Sequence, residues 1–91
     1  MIDCSHANAA KQYKRQLDVA RDIAAQLGRG ERRIVGVMVE SHLVEGRQEL
    51  ESGKPLVFGQ SITDPCLGWD DSTTVLGVLA EAVKRRRTAL A

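Results

Sequence analysis

The run Ile34-Val35-Gly36-Val37-Met38-Val39 constrains this chain more than any other segment. A continuous apolar stretch rich in β-branched residues reads as a strand buried on both faces, the kind that helices cover in a parallel sheet. The residues before it suit that role. Tyr13, Leu17, Ala20, Ala24 and Leu27 recur at alternating spacings of four and three, the apolar stripe of an amphipathic helix. Lys14, Asp18, Arg21 and Asp22 take the opposite face, and Gly28 stands where a C-terminal cap is expected. Residues 1–4 read as a short strand end, followed by a polar loop over 5–10 in which Asn8 is placed to cap the helix. Strand, helix and second strand make one βαβ unit.

Residues 40–70 break the pattern. Gly46, Gly53, Pro55, Gly59, Pro65 and Gly68 punctuate a polar stretch with only short apolar pieces such as Leu56-Val57-Phe58. Loops longer than about 12–15 residues are uncommon in compact domains and tend to be functional. This one directly follows the C-terminal end of the buried strand. A last helix is expected from Asp70-Asp71-Ser72, which offer caps and favourable negative charge, with Val75, Leu76, Leu79, Ala82, Val83 and Leu90 as its apolar face. Trp69 is placed to anchor the loop onto that helix, and Gly77 weakens it by about 1 kcal/mol relative to Ala.

The order is therefore β-α-β-long loop-α, an α/β fold class. Two strands cannot make a parallel sheet covered on both faces, so the pattern asks for more strands, from the same polypeptide or from other copies. The opening Met1-Ile2-Asp3 likewise reads as a start in mid-fold. Unpaired sheet edges and an uncovered apolar stripe predict self-association.

Composition bounds the function. The 91 residues carry a formal net charge of +1, which gives no bulk electrostatic reason for a nucleic-acid or membrane partner. No apolar segment approaches the roughly 20 residues that cross a bilayer, and the N-terminus lacks the pattern of a secretory signal. Two cysteines in such a chain predict reduced thiols and a cytoplasmic location. Lys84-Arg85-Arg86-Arg87 has no interleaved aromatics and reads as cations at a helix C-terminus rather than an anion patch.

Both strands end in similar text, Asp3-Cys4-Ser5-His6 and Val39-Glu40-Ser41-His42. C-terminal strand ends are where parallel α/β folds bind ligands and do chemistry. With Asp64 in the long loop, these ends concentrate metal-capable side chains, and mixed imidazole and carboxylate ligation suits manganese, iron or zinc. The spacing is not a compact ligand motif, so on the residues alone a metal site and ordinary structural histidines both stay open. His42 reads as a hydrogen-bonded structural residue, with a supporting place beside the site as the alternative. Cys4 reads as packing. Cys66 reads as a buried thiol, with replacement metal ligand as the alternative. Glu45 is assigned to solvent, and Lys11 could assist an anion at the helix start.

Longer stretches carry more. Ile2-Asp3-Cys4-Ser5-His6-Ala7-Asn8, Gly36-Val37-Met38-Val39-Glu40-Ser41-His42-Leu43-Val44-Glu45-Gly46, Ser61-Ile62-Thr63-Asp64 and Cys66-Leu67-Gly68-Trp69 occur in order. Together they closely resemble the end of 3-deoxy-D-arabino-heptulosonate 7-phosphate (DAHP) synthase of the short bacterial and fungal type, across essentially the whole chain. The resemblance implies that residues 1–91 are the C-terminal part of a barrel domain, the last two βα units of a TIM (β/α)8 barrel with a long loop after the second strand. It implies an enzyme that condenses phosphoenolpyruvate with erythrose 4-phosphate and releases phosphate, the first step of the shikimate pathway to aromatic amino acids. His6, Glu40 and Asp64 match three of that family's four ligands to a divalent metal of the manganese, iron, cobalt or zinc type. His6 also falls beside the phosphoenolpyruvate pocket, a catalytic position. The implied metal polarises the aldose carbonyl or orients an attacking water. The fourth ligand, a cysteine of an early strand, is absent here, as are most of the Arg and Lys side chains that hold the two anionic substrates. The expected dependence is thus on copies of the chain or on the missing part of the barrel. Two alternatives stand beside the enzyme: a non-catalytic metal- or phosphate-binding fragment that self-associates, and an inactive remnant.

Overall fold

The structure, a computed structural model, describes residues 1–6 and 12–90, with the side chain of Leu90 left out. Strand β1 (Ile2–Asp3) is followed by a 3-10 turn (Tyr13–Arg15), helix α1 (Gln16–Gly28), strand β2 (Val37–Met38) and helix α2 (Trp69–Leu90). The expected positions of Asn8 and Lys11 lie outside the described residues.

The two strands pair in parallel, Ile2 opposite Val37 and Asp3 opposite Met38. Ladder bonds extend the pair at both ends, from Ile2 N–H to Gly36 C=O at 3.0 Å and from Cys4 N–H to Met38 C=O at 2.8 Å. Alternation along a strand then sorts the side chains. Ile2, Cys4, Val37 and Val39 pack with Ile23 and Leu27 of α1 and with Ala82 of α2, and Ile34 joins them. A smaller cluster joins Ala20 of α1, Val75 of α2 and Leu67 of the loop. Both helices therefore cover one face of the sheet, and Asp3, Met38 and Glu40 belong to the other.

Five expectations need correction. The 34–39 run is not buried on both faces: Val35 is 83% exposed and Val37 to Val39 are only half-buried. Among the described residues, a single neighbouring strand and a single helical layer leave the other face open. Gly28 is the last residue of α1 and not its left-handed cap; that conformation falls to Gly30 at φ +95. In α2, Leu76 is 68% exposed, whereas Val75, Leu79, Ala82 and Val83 pack into the two core clusters. Trp69 is 61% exposed at the head of α2, and fully buried Leu67 closes the loop instead. Ser72 does not cap the helix as an acceptor; its hydroxyl donates to Gly68 C=O at 2.7 Å.

The basic cluster has one further role. Lys84, Arg85 and Arg87 are exposed, whereas half-buried Arg86 donates to the carbonyls of Ile34 at 2.9 Å and Glu31 at 3.4 Å. It ties the end of α2 to the entry of β2. Just upstream, bonds from Arg33 to Glu31 hold that carboxyl well below its ordinary range, at about 2. No helix among the described residues is long and apolar enough to cross a membrane.

Candidate metal centre

β1 runs out at Asp3, and the chain turns sharply. His6 takes φ +50, the left-handed region that few non-glycine residues enter. The turn folds the His6 ring back over its own strand, where Nδ1 donates to Asp3 Oδ2 at 2.9 Å. Ser5 braces the same carboxylate, its N–H and hydroxyl donating to Asp3 Oδ1 at 2.7 and 2.6 Å. These bonds to Ser5 and His6 pull the Asp3 carboxyl down to about 2. The His6 imidazole is pushed up by Asp3 first, and then by Glu40.

β2 delivers Glu40 from the adjacent strand end. Its side chain is 20% exposed, and its backbone is gripped from two directions. The Gln16 carboxamide pairs with both its N–H and C=O at 2.7 and 3.0 Å, and Leu67 N–H donates to the same carbonyl at 2.9 Å.

Asp64 arrives from the long loop, which is not loose. After Glu40 the chain runs outward and returns against itself: Val44 N–H bonds Gly59 C=O, Gln48 N–H bonds Ser61 C=O, and Gly46 and Cys66 exchange both backbone bonds. The Gln48 side chain, bonded to Val57 and Gln60, fastens the tip. The return limb then passes Asp64 and rejoins the sheet end at Leu67.

Two strand ends and the long loop thus bring His6, Glu40 and Asp64 to one point. The ligand atoms of His6, Glu40 and Asp64 lie within 4.8 Å of one another, with Nε2 of His6 at 3.6 Å from each carboxylate. Three donors at about 2.0–2.2 Å from a common centre stand roughly 3–4 Å apart, so the spacing fits a divalent ion. The donor set, one imidazole and two carboxylates, fits the same group of borderline metals. The cluster opens into a cavity of about 330 Å³ that Ser5, Gln12, Tyr13 and Pro65 also line.

The other candidates stay apart. His42 is exposed and its Nδ1 accepts from Leu43 N–H at 2.9 Å, a local structural bond. Cys4 is fully buried in the core. Cys66 is buried and its thiol donates to Asp64 C=O at 3.4 Å, so it supports the loop without joining the converging ligands. Burial pushes both thiols up, away from the reactive thiolate. Glu45 is half-exposed and pairs with Lys14 at 3.3 Å. Sequence reasoning missed Gln16 and Asp3. Gln16 had a signal: it is three residues after Tyr13 and four before Ala20, a polar residue set into the apolar stripe.

Known proteins of one family resemble this chain over most of its length. The model of the DAHP synthetase I family matches residues 1–77. The Phe-sensitive phospho-2-dehydro-3-deoxyheptonate aldolase of Escherichia coli (strain K12) is 61% identical over 87 residues, which are 96% of this chain and 25% of that protein. The phospho-2-dehydro-3-deoxyheptonate aldolase of Haemophilus influenzae is 57% identical over 89 residues, 98% of this chain and 25% of the relative. Among solved structures, the phospho-2-dehydro-3-deoxyheptonate aldolase of Francisella tularensis SCHU S4 superposes with a TM-score of 0.88 at 45% identity, over 94% of this chain and 25% of that one. The chain thus spans about a quarter of the length of the relatives it matches.

Proposed function

This chain belongs to the DAHP synthetase I family, and from that premise we propose that it supplies the last two βα units of a (β/α)8 barrel, with three of the ligands of its divalent metal. The assembled barrel joins phosphoenolpyruvate, erythrose 4-phosphate and water into DAHP and phosphate, the first step of the shikimate pathway, in the cytoplasm. The observation that carries this reading is the convergence of His6, Glu40 and Asp64 from two strand ends and one loop.

The chemistry explains the division of labour. The new bond joins C3 of phosphoenolpyruvate, a weak carbon nucleophile, to the aldehyde carbon, so that carbonyl must be made more electrophilic. When bound, a divalent ion supplies Lewis-acid polarisation or holds the attacking water. The chain's own part is to build the seat. Asp3 keeps the His6 proton on Nδ1 and leaves the Nε2 lone pair facing the two carboxylates. Glu40 and Asp64 add negative charge that favours a dication and offsets its desolvation. The fourth ligand, a cysteine, and the Arg and Lys side chains for the phosphate groups are assigned to the remaining three-quarters of the barrel.

The test is a chimera. This chain replaces the corresponding C-terminal quarter of the Escherichia coli Phe-sensitive relative, and phosphoenolpyruvate consumption is followed with erythrose 4-phosphate and Mn²⁺. Turnover is expected in the chimera, with His6→Ala, Glu40→Ala and Asp64→Ala each lowering it by at least about a hundredfold. A folded chimera without turnover, or one that tolerates His6→Ala, would sink the proposal.

A further inference from the structure

Gln16 is 0% exposed, although it sits at the start of a helix whose other buried residues, Ala20, Ile23 and Leu27, are apolar or small. A flexible polar side chain is an expensive choice for such a place unless both ends of its amide are paired. They are. Oε1 accepts from Glu40 N–H at 2.7 Å, and Nε2 donates to Glu40 C=O at 3.0 Å, across 24 residues of chain.

The location of this pairing gives it meaning. The β1–β2 ladder reaches only as far as the bond from Cys4 to Met38. Two residues on, Glu40 has left the sheet, and a strand end with free N–H and C=O would fray into water. The carboxamide offers the same donor and acceptor as a peptide group and continues the ladder by one step. On the carbonyl's second lone pair, Leu67 N–H attaches the loop limb that carries Asp64. The main chain of Glu40 is thus held between α1 and that limb.

We infer that Gln16 is a positioning residue for the metal centre: its side-chain amide fixes the backbone of Glu40 so that the carboxylate meets His6 and Asp64 around a divalent cation. The inference rests on the metal-centre reading above. Packing alone would be served by Leu or Met, so the polar atoms distinguish the positioning role from filling space.

The experiment uses the full chain and Mn²⁺ alone. Calorimetry gives the affinity of the wild type, of Gln16→Met (similar volume, no amide) and of Ile23→Val, a core substitution on the same helix whose side chain has no hydrogen-bonding group to offer Glu40. Hydrogen exchange of the Glu40 amide is followed in the metal-free protein. Gln16→Met is expected to weaken Mn²⁺ binding at least about tenfold and to speed exchange of that amide. Ile23→Val is expected to stay within about twofold of wild type. If circular dichroism shows Gln16→Met unfolded, Gln16→Asn is read in its place with the same expectation, its amide being one methylene too short to span both groups. Equal affinity in the Gln16 variant and wild type overturns the inference, as does an equal loss in Ile23→Val, which would make the effect one of general stability. A folded wild type that binds no Mn²⁺ instead overturns the metal reading itself, and the positioning role with it.

Discussion

In the proposed metal centre His6 holds two obligations that a single residue rarely combines, a ligand atom and a left-handed backbone at φ +50. For an L-residue that conformation costs about 1–2 kcal/mol. It persists because the Asp3 carboxylate, itself pinned by Ser5, rewards the folded-back ring with a bond at 2.9 Å. Strain at a strand end that presents a ligand is a familiar use of such energy. The two obligations can be separated by comparing His6→Ala with His6→Gly. Both variants lose the ring, so both should lose Mn²⁺ binding. Only the glycine relaxes the backbone, so His6→Gly should be the more stable of the two by about 0.5–1 kcal/mol in chemical denaturation. Equal stabilities would mean that the turn is not strained.

Elements differ in how completely they show themselves in sequence. The long loop is the least regular and the most constrained by its own bonds, and Gly59 is its tightest point. Its φ is +82, and a Cβ there would stand 2.9 Å from Leu43 Cβ. Gly59→Ala should therefore destabilise the chain by about 1–3 kcal/mol and weaken Mn²⁺ binding, because the outgoing and returning limbs part and Asp64 moves with them. An unchanged melting temperature would show that the loop tip is free of the site. The extent of this loop and its place after a strand were legible in the sequence; its internal weave was not, since it depends on side-chain amides such as Gln48 whose partners lie 9 and 12 residues away. The solvent face of α1 was legible in its spacing. In the loop's last turn the choice between Leu67 and Trp69 was not, because size favours the tryptophan whereas the geometry of the return limb buries the leucine. The three side chains of the proposed metal centre could be picked out from residue type and resemblance, but the bond between Gln16 and Glu40 could not, because it is made by one helix residue to the backbone of another element.

The whole molecule is the scale at which β2 makes sense. Its sequence is written for burial on both faces, yet the described chain buries only the face toward α1 and α2 and exposes Val35 and Met1. The dimensions agree. A compact domain of this length has a radius of gyration of about 12 Å, whereas here it is 15.4 Å, with principal extents of 58 × 22 × 16 Å. This is the shape of one sector of a layered fold, with a helical outside and an uncovered inside. Leu50, Leu56, Val57 and Phe58 of the loop add further exposed apolar surface. Apolar faces and open strand edges in that arrangement find partners, and at rising concentration the available partner is another copy. Sedimentation velocity over a hundredfold range of concentration should show mass climbing above the 10.0 kDa of one chain. Adding the remaining three-quarters of a related barrel in trans should suppress that climb, because native strands would then occupy the same edges. A single monomeric species with a sharp, cooperative melt throughout the range would mean that these faces are stable in water, and that the chain is a domain in its own right rather than a sector of a barrel.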